Sequence, residues 1–188
     1  MKEISKLKDI SSILEIGPGN KIIYDILSKM GYDVKTMDIN SQTNPDIIAD
    51  IRDPGGFINE SFDLILCCQV LEHLPYSDFH NTLENLYRMT KKYLIITLPY
   101  TSYGTFKPYF KIHFFPFLKP ISWIRIFNLF PQEHIFNGKH YWEIGKKGFK
   151  LKRILKDIKD SGFMIRKHYT IFENPYHYMF ACEKKKLN

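Results

Sequence analysis

The sequence is poor in cysteine and has no long uninterrupted apolar segment. Three cysteines in 188 residues are too few for the disulfide framework of a small secreted protein, and the adjacent Cys67 and Cys68 indicate buried free thiols. The most apolar stretch, residues 112–130, contains prolines, a lysine and an arginine, whereas a membrane span needs about 20 mostly apolar residues. The charged stretch Met1 to Leu14 lacks the apolar core of a signal peptide. We therefore expect a cytoplasmic protein, and peripheral contact with a membrane stays open.

Charge is distributed unevenly along the chain. The net charge is +7, and residues 145–188 carry 12 basic but only four acidic side chains. Such a basic region can attract nucleic acid or a phosphorylated headgroup. Because its lysines alternate with apolar residues, a solvated surface is the simpler interpretation, and RNA is kept as an alternative partner.

Short apolar runs alternate with helically spaced apolar residues through the first hundred positions. Asn20 is a suitable cap for the first predicted helix, and Ser77 for the second. Strands that alternate with helices predict a parallel sheet covered on both faces. The predicted strands are 13–16, 32–37, 47–49, 62–68 and 93–98, and the predicted helices lie at 22–30 and 79–86.

The pattern breaks after Pro99 and becomes regular again near residue 151. Leu151, Ile154, Leu155 and Ile158 have the i, i+3, i+4, i+7 spacing of an amphipathic helix. Two β-rich runs, 164–172 and 176–182, then predict an antiparallel hairpin that closes the sheet. The sequence therefore predicts one α/β domain over residues 1–188.

Glycines and acidic residues stand where the predicted strands end, which is where ligands bind in an open α/β sheet. Gly17 and Gly19 follow the first strand, and glycine there lets the backbone approach a ligand at a helix N-terminus. Asp38 ends the second strand and can accept hydrogen bonds from a ribose diol; Asp50 ends the third. A glycine turn alone also suits NAD or FAD, although Ile22 replaces the third glycine of the dinucleotide fingerprint.

The segment from Phe62 to Pro75 closely resembles the post-strand motif of class I S-adenosylmethionine-dependent methyltransferases, particularly the type 11 group. The resemblance covers roughly residues 11–99. It implies a Rossmann-like, seven-stranded, mostly parallel sheet with an antiparallel C-terminal hairpin and helices on both faces. It also implies that S-adenosylmethionine is the cofactor. The residues that it assigns to cofactor binding are Glu15, Gly17, Pro18, Gly19, Asp38, Ile39, Asp50, Ile51, Cys68 and Gln69.

A metal requirement is not expected from the sequence. Ubiquinone-pathway O-methyltransferases and small-RNA 2′-O-methyltransferases carry a Glu-x-x-Glu-His motif here that helps to bind Mg²⁺. This chain has Gln69 in place of the first glutamate, followed by Glu72 and His73. Because hard cations prefer carboxylate oxygen, the loss of one charged ligand favours a site without metal. Glu72 and His73 are then expected to start a helix that packs under the sheet edge.

Residues 100–142 are expected to form an insertion that covers the acceptor pocket. They contain fourteen aromatic residues and four prolines, with five lysines or arginines against one acidic residue. An apolar lid with a basic rim suits a lipid-linked or aromatic acceptor, and a hydrophobic subdomain explains the composition almost as well. His140 is the candidate general base, because type 11 relatives often carry a histidine or tryptophan near this point.

Three functions are consistent with the sequence. The favoured one is methyl transfer to an oxygen of a small or lipid-linked acceptor. The alternatives are an RNA-modifying methyltransferase and a non-catalytic cofactor-binding protein of the same fold. The methyl acceptor, the oligomeric state and the pathway are not encoded in any motif of the chain.

The cofactor assignment leads to a first prediction. Calorimetry should show binding of S-adenosylmethionine or S-adenosylhomocysteine, with no comparable binding of NAD. The Asp38→Ala variant should bind more weakly by about 1.5–3 kcal/mol, which is the usual contribution of hydrogen bonds to a charged group. Undiminished affinity in a folded Asp38→Ala protein would contradict the ribose assignment.

Overall fold

The computed structural model describes residues 1–55, 60–101, 131–136 and 138–185, together with the backbone of four short strands between residues 105 and 128. The strands are β1 (Ser12–Ile16), β2 (Asp33–Asp38), β3 (Ile47–Ile48), β4 (Phe62–Cys68), β5 (Thr90–Pro99), β6 (Thr105–Phe106), β7 (Tyr109–Ile112), β8 (Ile121–Ile124), β9 (Phe127–Asn128), β10 (Phe163–Thr170) and β11 (His177–Lys184). The α-helices are α1 (Ile22–Lys29), α2 (Phe79–Met89) and α3 (Leu151–Asp160), and 3-10 turns lie at Ile4–Lys6, Ser41–Thr43, Leu71–His73 and Tyr76–Asp78.

Seven of the strands form one sheet in the order β3-β2-β1-β4-β5-β11-β10. Strands β1 to β5 pair in parallel, and β11 runs antiparallel to both of its neighbours. The predicted fold class, a mostly parallel seven-stranded sheet closed by an antiparallel hairpin, is confirmed. All the parallel strands therefore end at one edge, and the loops that follow them share that edge.

The two faces of the sheet are covered by different elements. On one face, Leu14, Ile65 and Ile96 pack with residues of α2 and α3. On the other face, Ile13 and Leu66 pack with residues of α1 and the N-terminal segment. Successive residues of each strand alternate between the faces, which is the geometry expected of a strand. Helices cover both faces, as predicted.

Helix α1 starts differently from the prediction. Its N-cap is Lys21, in the left-handed conformation with φ 59°, and the Asn20 side chain only accepts a long hydrogen bond of 3.5 Å from the Ile22 N–H. The predicted cap at Asn20 is thus wrong by one residue. Among the apolar residues of the helix only Leu27 is fully buried, while Ile22 and Ile26 are 55% and 41% exposed.

The start of α2 also differs from the expectation. The 3-10 turn at Tyr76–Asp78 precedes the helix, and Asp78 is its N-cap residue. The Ser77 hydroxyl hydrogen-bonds the Asp78 carboxylate at 3.1 Å. Ser77 therefore lies inside a turn that leads into the helix and does not cap it.

The side chains of residues 102–130 lie outside the described part of the insertion, so its role as a lid stays a prediction. The described backbone contains two antiparallel pairs, β6 with β9 and β7 with β8. At the end of the insertion, Trp142 is fully buried, packs edge-on against Tyr76 and Phe79, and donates a hydrogen bond to the Leu74 carbonyl. Within the part of the chain that the structure describes, no helix is long and apolar enough to cross a membrane.

Candidate functional site

The loops that follow the parallel strands meet at the carboxyl edge of the sheet. The Gly17 N–H donates to the Met37 carbonyl at 2.8 Å, and the Gln69 N–H donates to the Thr97 carbonyl at 2.9 Å. These bonds extend the strand pairing by one residue beyond the ends of β1 and β4. The residues singled out in the sequence therefore lie along one edge, where an open α/β sheet binds its ligands.

The glycine turn after β1 requires backbone conformations that side chains disfavour. Gly17 has φ +64° and Gly19 has φ +52°, both in the left-handed region. A Cβ at Gly17 would lie 2.6 Å from a γ-methyl of Val70, whereas a Cβ at Gly19 would meet no atom within 4 Å. The turn after β1 thus touches the loop after β4, and Gly17 is the point of contact.

Glu15 is a buried carboxyl group directly before this turn. The backbone N–H of Tyr24 in α1 hydrogen-bonds the carboxyl group, whereas Oε2 has no hydrogen-bond partner among the described residues. Burial raises the pKa of Glu15 to about 7, and the bond from Tyr24 offsets part of the rise. Glu15 therefore ties the glycine turn to helix α1 and is poised to exchange a proton near neutral pH.

Asp38 ends β2 and Ile39 follows it; the resemblance implies that they contact the ribose and the adenine of the cofactor. The Asp38 Oδ1 accepts a hydrogen bond from the Asn40 N–H at 2.9 Å, which orients the carboxylate. Ile39 is 64% exposed, so its side chain offers an apolar surface at the edge. Their roles in cofactor binding remain predictions that this geometry is compatible with.

Asp50 makes contacts that the sequence does not indicate. Its carboxylate forms an ion pair with Arg52, with an Nη2 to Oδ2 distance of 2.6 Å. The bond from Arg52 lowers the pKa of Asp50. The Asn85 side chain, in α2, donates to the Ile51 and Arg52 carbonyls at 3.1 and 2.8 Å. An adenine amino group at Asp50 would share the carboxylate with Arg52.

Cys68 and Gln69 form the end of β4. Gln69 has φ +57°, a strained conformation for a residue with a side chain, and its amide donates to the Thr97 Oγ1 at 3.3 Å. Burial raises the pKa of the Cys68 thiol to about 11, while a hydrogen bond with Thr97 lowers it in part. The thiol is therefore protonated at neutral pH, and it can line a pocket without acting as a nucleophile.

A groove with a volume of about 1090 Å³ begins at these two residues. It lies between the N-terminal segment, helix α1 and the β10–β11 hairpin. Ile26 and Met179 contribute apolar surface, and Tyr100 and Thr97 line it near the ends of the central strands. We call this cavity the hairpin groove. Its size suffices for a drug-sized organic molecule.

His140 lies in a hydrogen-bonded cluster beside Glu143. The His140 Nδ1 is 2.7 Å from the Glu143 Oε1, and the Tyr176 hydroxyl donates to the same oxygen at 3.1 Å. The Thr101 hydroxyl donates to the other oxygen of Glu143. Glu143 is therefore a buried acceptor that fixes the imidazole of His140. His140 is not among the residues that line the hairpin groove.

The structure also brings Glu72 and His73 to His140, although 67 positions separate His73 from His140. The two imidazole rings are 5.0 Å apart in an edge-to-face arrangement. One potential ligand atom from each of the three residues lies within 4.8 Å of the other two. Glu72 is the middle residue of the 3-10 turn Leu71–His73 and is fully buried, whereas the sequence predicts that Glu72 and His73 start a helix; the next α-helix starts at Phe79.

Sequence reasoning missed several residues of the site. Val70 contacts the glycine turn, Thr97 binds Gln69, and Glu143 holds His140. Of these only Glu143 had a local signal, because it lies three residues after His140, within reach of a side-chain contact. The other contacts join residues that are distant in the sequence.

Comparison with known proteins supports one family. The sequence profile of a family described as "Methyltransferase domain" matches residues 2–145. Among curated proteins, none matches this chain.

Solved structures share the fold at low sequence identity. A 1,6-didemethyltoxoflavin-N1-methyltransferase from Burkholderia thailandensis, solved with 1,6-didemethyltoxoflavin and S-adenosylhomocysteine, has a TM-score of 0.64 at 10% identity, covering 97% of this chain and 74% of its own. An S-adenosylmethionine-dependent methyltransferase from Clostridium acetobutylicum has a TM-score of 0.64 at 12% identity, covering 97% and 87%. The glycopeptide N-methyltransferase MtfA, solved with S-adenosylmethionine, has a TM-score of 0.64 at 9% identity, covering 98% and 92%.

The contact between Gly17 and Val70 yields a prediction with a matched control. Both Gly17→Ala and Gly19→Ala place a side chain at positive φ, which costs about 1–2 kcal/mol. Only Gly17→Ala also forces the stiff Val70 side chain to move. Calorimetry with S-adenosylhomocysteine should therefore show a larger loss of affinity for Gly17→Ala than for Gly19→Ala. The double variant Gly17→Ala/Val70→Ala should return towards the Gly19→Ala value, and failure to do so would contradict the steric explanation.

The raised pKa of Glu15 predicts how stability depends on pH. Between the ordinary value of 4.5 and the folded value of about 7, the unfolded state loses the proton that the folded state keeps. The free energy of unfolding should therefore fall as pH rises through this window, by up to about 3 kcal/mol. Urea unfolding at pH 4.5 and pH 8 measures the fall. Glu15→Gln should show a smaller fall than the unchanged protein, and an equal fall would exclude Glu15 as its source.

Proposed function

The chain belongs to the methyltransferase domain family, and we propose that it transfers the methyl group of S-adenosylmethionine to an oxygen of a small or lipid-linked acceptor. Support for the cofactor comes from the neighbours solved with S-adenosylmethionine or S-adenosylhomocysteine. The observation that carries the acceptor proposal is the hairpin groove, which opens from Cys68 and Gln69 and runs past apolar side chains. These neighbours include N-methyltransferases. The proposal of an oxygen acceptor is therefore based on this chain's own residues and not on the neighbours.

The residues at the edge of the sheet suit cofactor binding. In the proposed complex the methionine part of the cofactor lies over Gly17, Pro18 and Gly19, with its ribose at Asp38. The methyl group then points towards Cys68 and Gln69, where the groove starts. The acceptor oxygen attacks the methyl carbon, the carbon–sulfur bond breaks, and its electron pair stays on sulfur. Alignment of the oxygen behind the methyl group supplies most of the acceleration.

The proton of the acceptor hydroxyl needs a base, and His140 is the proposed one. Its Nδ1 is hydrogen-bonded to Glu143, an arrangement that holds the ring and stabilises the imidazolium once the second nitrogen has taken a proton. The Tyr176 carbonyl accepts a hydrogen bond from the N–H of Tyr100, a groove residue. The base and the groove are therefore linked through the loop before β11.

The apolar part of the groove wall favours an acceptor with a hydrocarbon or aromatic part. Ile23, Ile26, Ile95 and Met179 all line the cavity. Polar side chains, among them Thr97, Lys167 and His168, line it as well and can orient the polar group of such an acceptor. A lipid-linked acceptor could place its chain along the hairpin and its hydroxyl at the carboxyl edge.

An RNA acceptor is less well supported. Five basic side chains of the C-terminal third form ion pairs with acidic ones: Lys147, Lys156, Arg166, Lys167 and Lys184. Paired charges leave a weaker positive field for a phosphate backbone than the sequence suggests. The cytoplasmic location and the grouping of residues 1–188 into one domain stay predictions from the sequence.

Two similarly exposed isoleucines of α1 test the position of the acceptor. Ile26 lines the groove, whereas Ile22, one turn earlier, does not. With hydroxylated acceptors that carry apolar chains, formation of S-adenosylhomocysteine is measured for both variants. Ile26→Asn should raise the KM of the acceptor about 10-fold, as expected for one lost apolar contact, while Ile22→Asn should not change it.

The cofactor affinity of both variants is the control and should stay the same. Equal effects of Ile22→Asn and Ile26→Asn on KM would contradict the groove as the acceptor site. Turnover with amine acceptors but with no hydroxyl acceptor would contradict transfer to oxygen. Turnover that occurs only with RNA, with binding that weakens steeply in salt, would favour the alternative function.

A further inference from the structure

A cluster of three potential metal ligands lies beside the proposed active site. Glu72 and His73 come from the loop after β4, and His140 comes from the segment before α3. One ligand atom from each lies within 4.8 Å of the others. We propose that Glu72, His73 and His140 bind one divalent transition-metal ion of the Zn²⁺ type. The expectation drawn from the sequence, no metal, considered only residues 69–73, and the third ligand lies far outside that window.

The hydrogen bonds of the two histidines are those of metal-binding imidazoles. The His73 Nδ1 is 2.9 Å from the Lys139 carbonyl oxygen. Because a carbonyl only accepts, Nδ1 carries the proton and Nε2 is the basic nitrogen of that ring. The His140 Nδ1 is 2.7 Å from the Glu143 carboxylate. Metal-bound histidines almost always donate their other N–H to a carbonyl or carboxylate, which orients the ring and makes it a stronger ligand.

Glu72 supplies the second, independent observation. Its side chain is fully buried, and no other described residue donates a hydrogen bond to either carboxylate oxygen; the contact from its own backbone N–H does not meet hydrogen-bond geometry. A buried carboxyl group with no hydrogen bond from another residue is costly and needs either a proton or a cation. A bound cation would remove this cost by pairing with the ionised carboxylate.

The chemistry of the ligands selects the type of metal. Two imidazoles and one carboxylate match the set found in zinc sites that keep an open position for water or substrate. Mg²⁺ prefers an octahedral shell of oxygen atoms, and this cluster offers one carboxylate beside two imidazoles. Imidazole binds zinc-like ions well. The three ligands therefore favour a transition metal over Mg²⁺.

Glu143 is then a positioning residue for the metal. It accepts hydrogen bonds from His140, from Tyr176 of the loop before β11 and from Thr101 after β5. Three separate segments thus hold the carboxylate that orients one ligand. Loss of such an outer partner typically weakens metal affinity about 10–100-fold.

A bound metal would change the role of His140 in the reaction, and this consequence rests on the proposed function. A coordinated imidazole nitrogen cannot accept a proton at the same time. When bound, the ion would lower the pKa of an acceptor hydroxyl that reaches its open position. His140 would then act as a ligand in the metal-bound protein and as a base only in the metal-free protein.

Metal binding is measured without cofactor or acceptor, so the result does not depend on the proposed function. Full-length protein stripped with a chelator is titrated with ZnSO₄ in competition with a chromophoric chelator. We expect one Zn²⁺ per chain, with an affinity that millimolar MgCl₂ does not reduce. Glu72→Gln, His73→Asn and His140→Asn should each weaken the affinity at least about 100-fold, more than the loss of an outer partner. Glu143→Gln should weaken it by an intermediate factor.

An exposed histidine–glutamate pair on α2 provides the matched control. His80 Nε2 lies 3.5 Å from Glu84 Oε1, so His80→Asn removes an imidazole beside a carboxylate without touching the cluster. Its Zn²⁺ affinity should equal that of the unchanged protein, as should that of Cys68→Ser. Circular dichroism checks that each variant is folded. With Co²⁺, the absorption spectrum should lack the intense near-ultraviolet bands of thiolate ligands.

Three outcomes would overturn the proposal. The first is no stoichiometric Zn²⁺ binding by the unchanged protein. The second is an equal loss of affinity in His80→Asn or Cys68→Ser. The third is displacement of Zn²⁺ by millimolar Mg²⁺, which would show that the site prefers a hard cation. If Glu72→Gln does not fold, His140→Asn carries the same test, because His140 is partly exposed.

Discussion

Parallel pairing of β1 with β4 is the constraint on which the site depends. Their register sets Ile16 beside Cys67, so the loops that follow both strands leave the sheet at the same edge. The contact between Gly17 and Val70 results from this register. A slip of one residue would exchange the two faces of β4. Cys67 would then leave the core and Cys68 would leave the groove.

Three buried carboxyl groups lie at this edge, and their different hydrogen-bond partners suit them to different roles. Glu15 receives a backbone N–H from α1, which links the glycine turn to the helix that follows it. Glu143 receives hydrogen bonds from two hydroxyl groups and an imidazole, and so it is suited to holding a neighbour in place. Glu72 receives no side-chain hydrogen bond from the described residues. Of the three it has the strongest physical need for a cation.

The loop before β11 connects the acceptor groove with the histidine cluster. Through its carbonyl, Tyr176 holds the N–H of Tyr100, which lines the groove, and through its hydroxyl it holds Glu143. A change in the position of this loop would therefore reach both the acceptor and His140. The antiparallel hairpin thus does more than close the sheet, because it carries the residue that joins the two parts of the proposed active site.

The order of strands and helices could be predicted from the sequence because apolar periodicity is a local property. The predicted strand 62–68 coincides with β4, and Asp38 does end β2. The caps at Asn20 and Ser77 were wrong, since the left-handed Lys21 and a 3-10 turn decide where those helices start. Tertiary structure alone brought His140 to Glu72 and His73, paired Asp50 with Arg52 and placed Val70 against Gly17. These contacts follow from strand register and loop packing, and a single sequence without an alignment carries no signal for distances between residues so far apart in the chain.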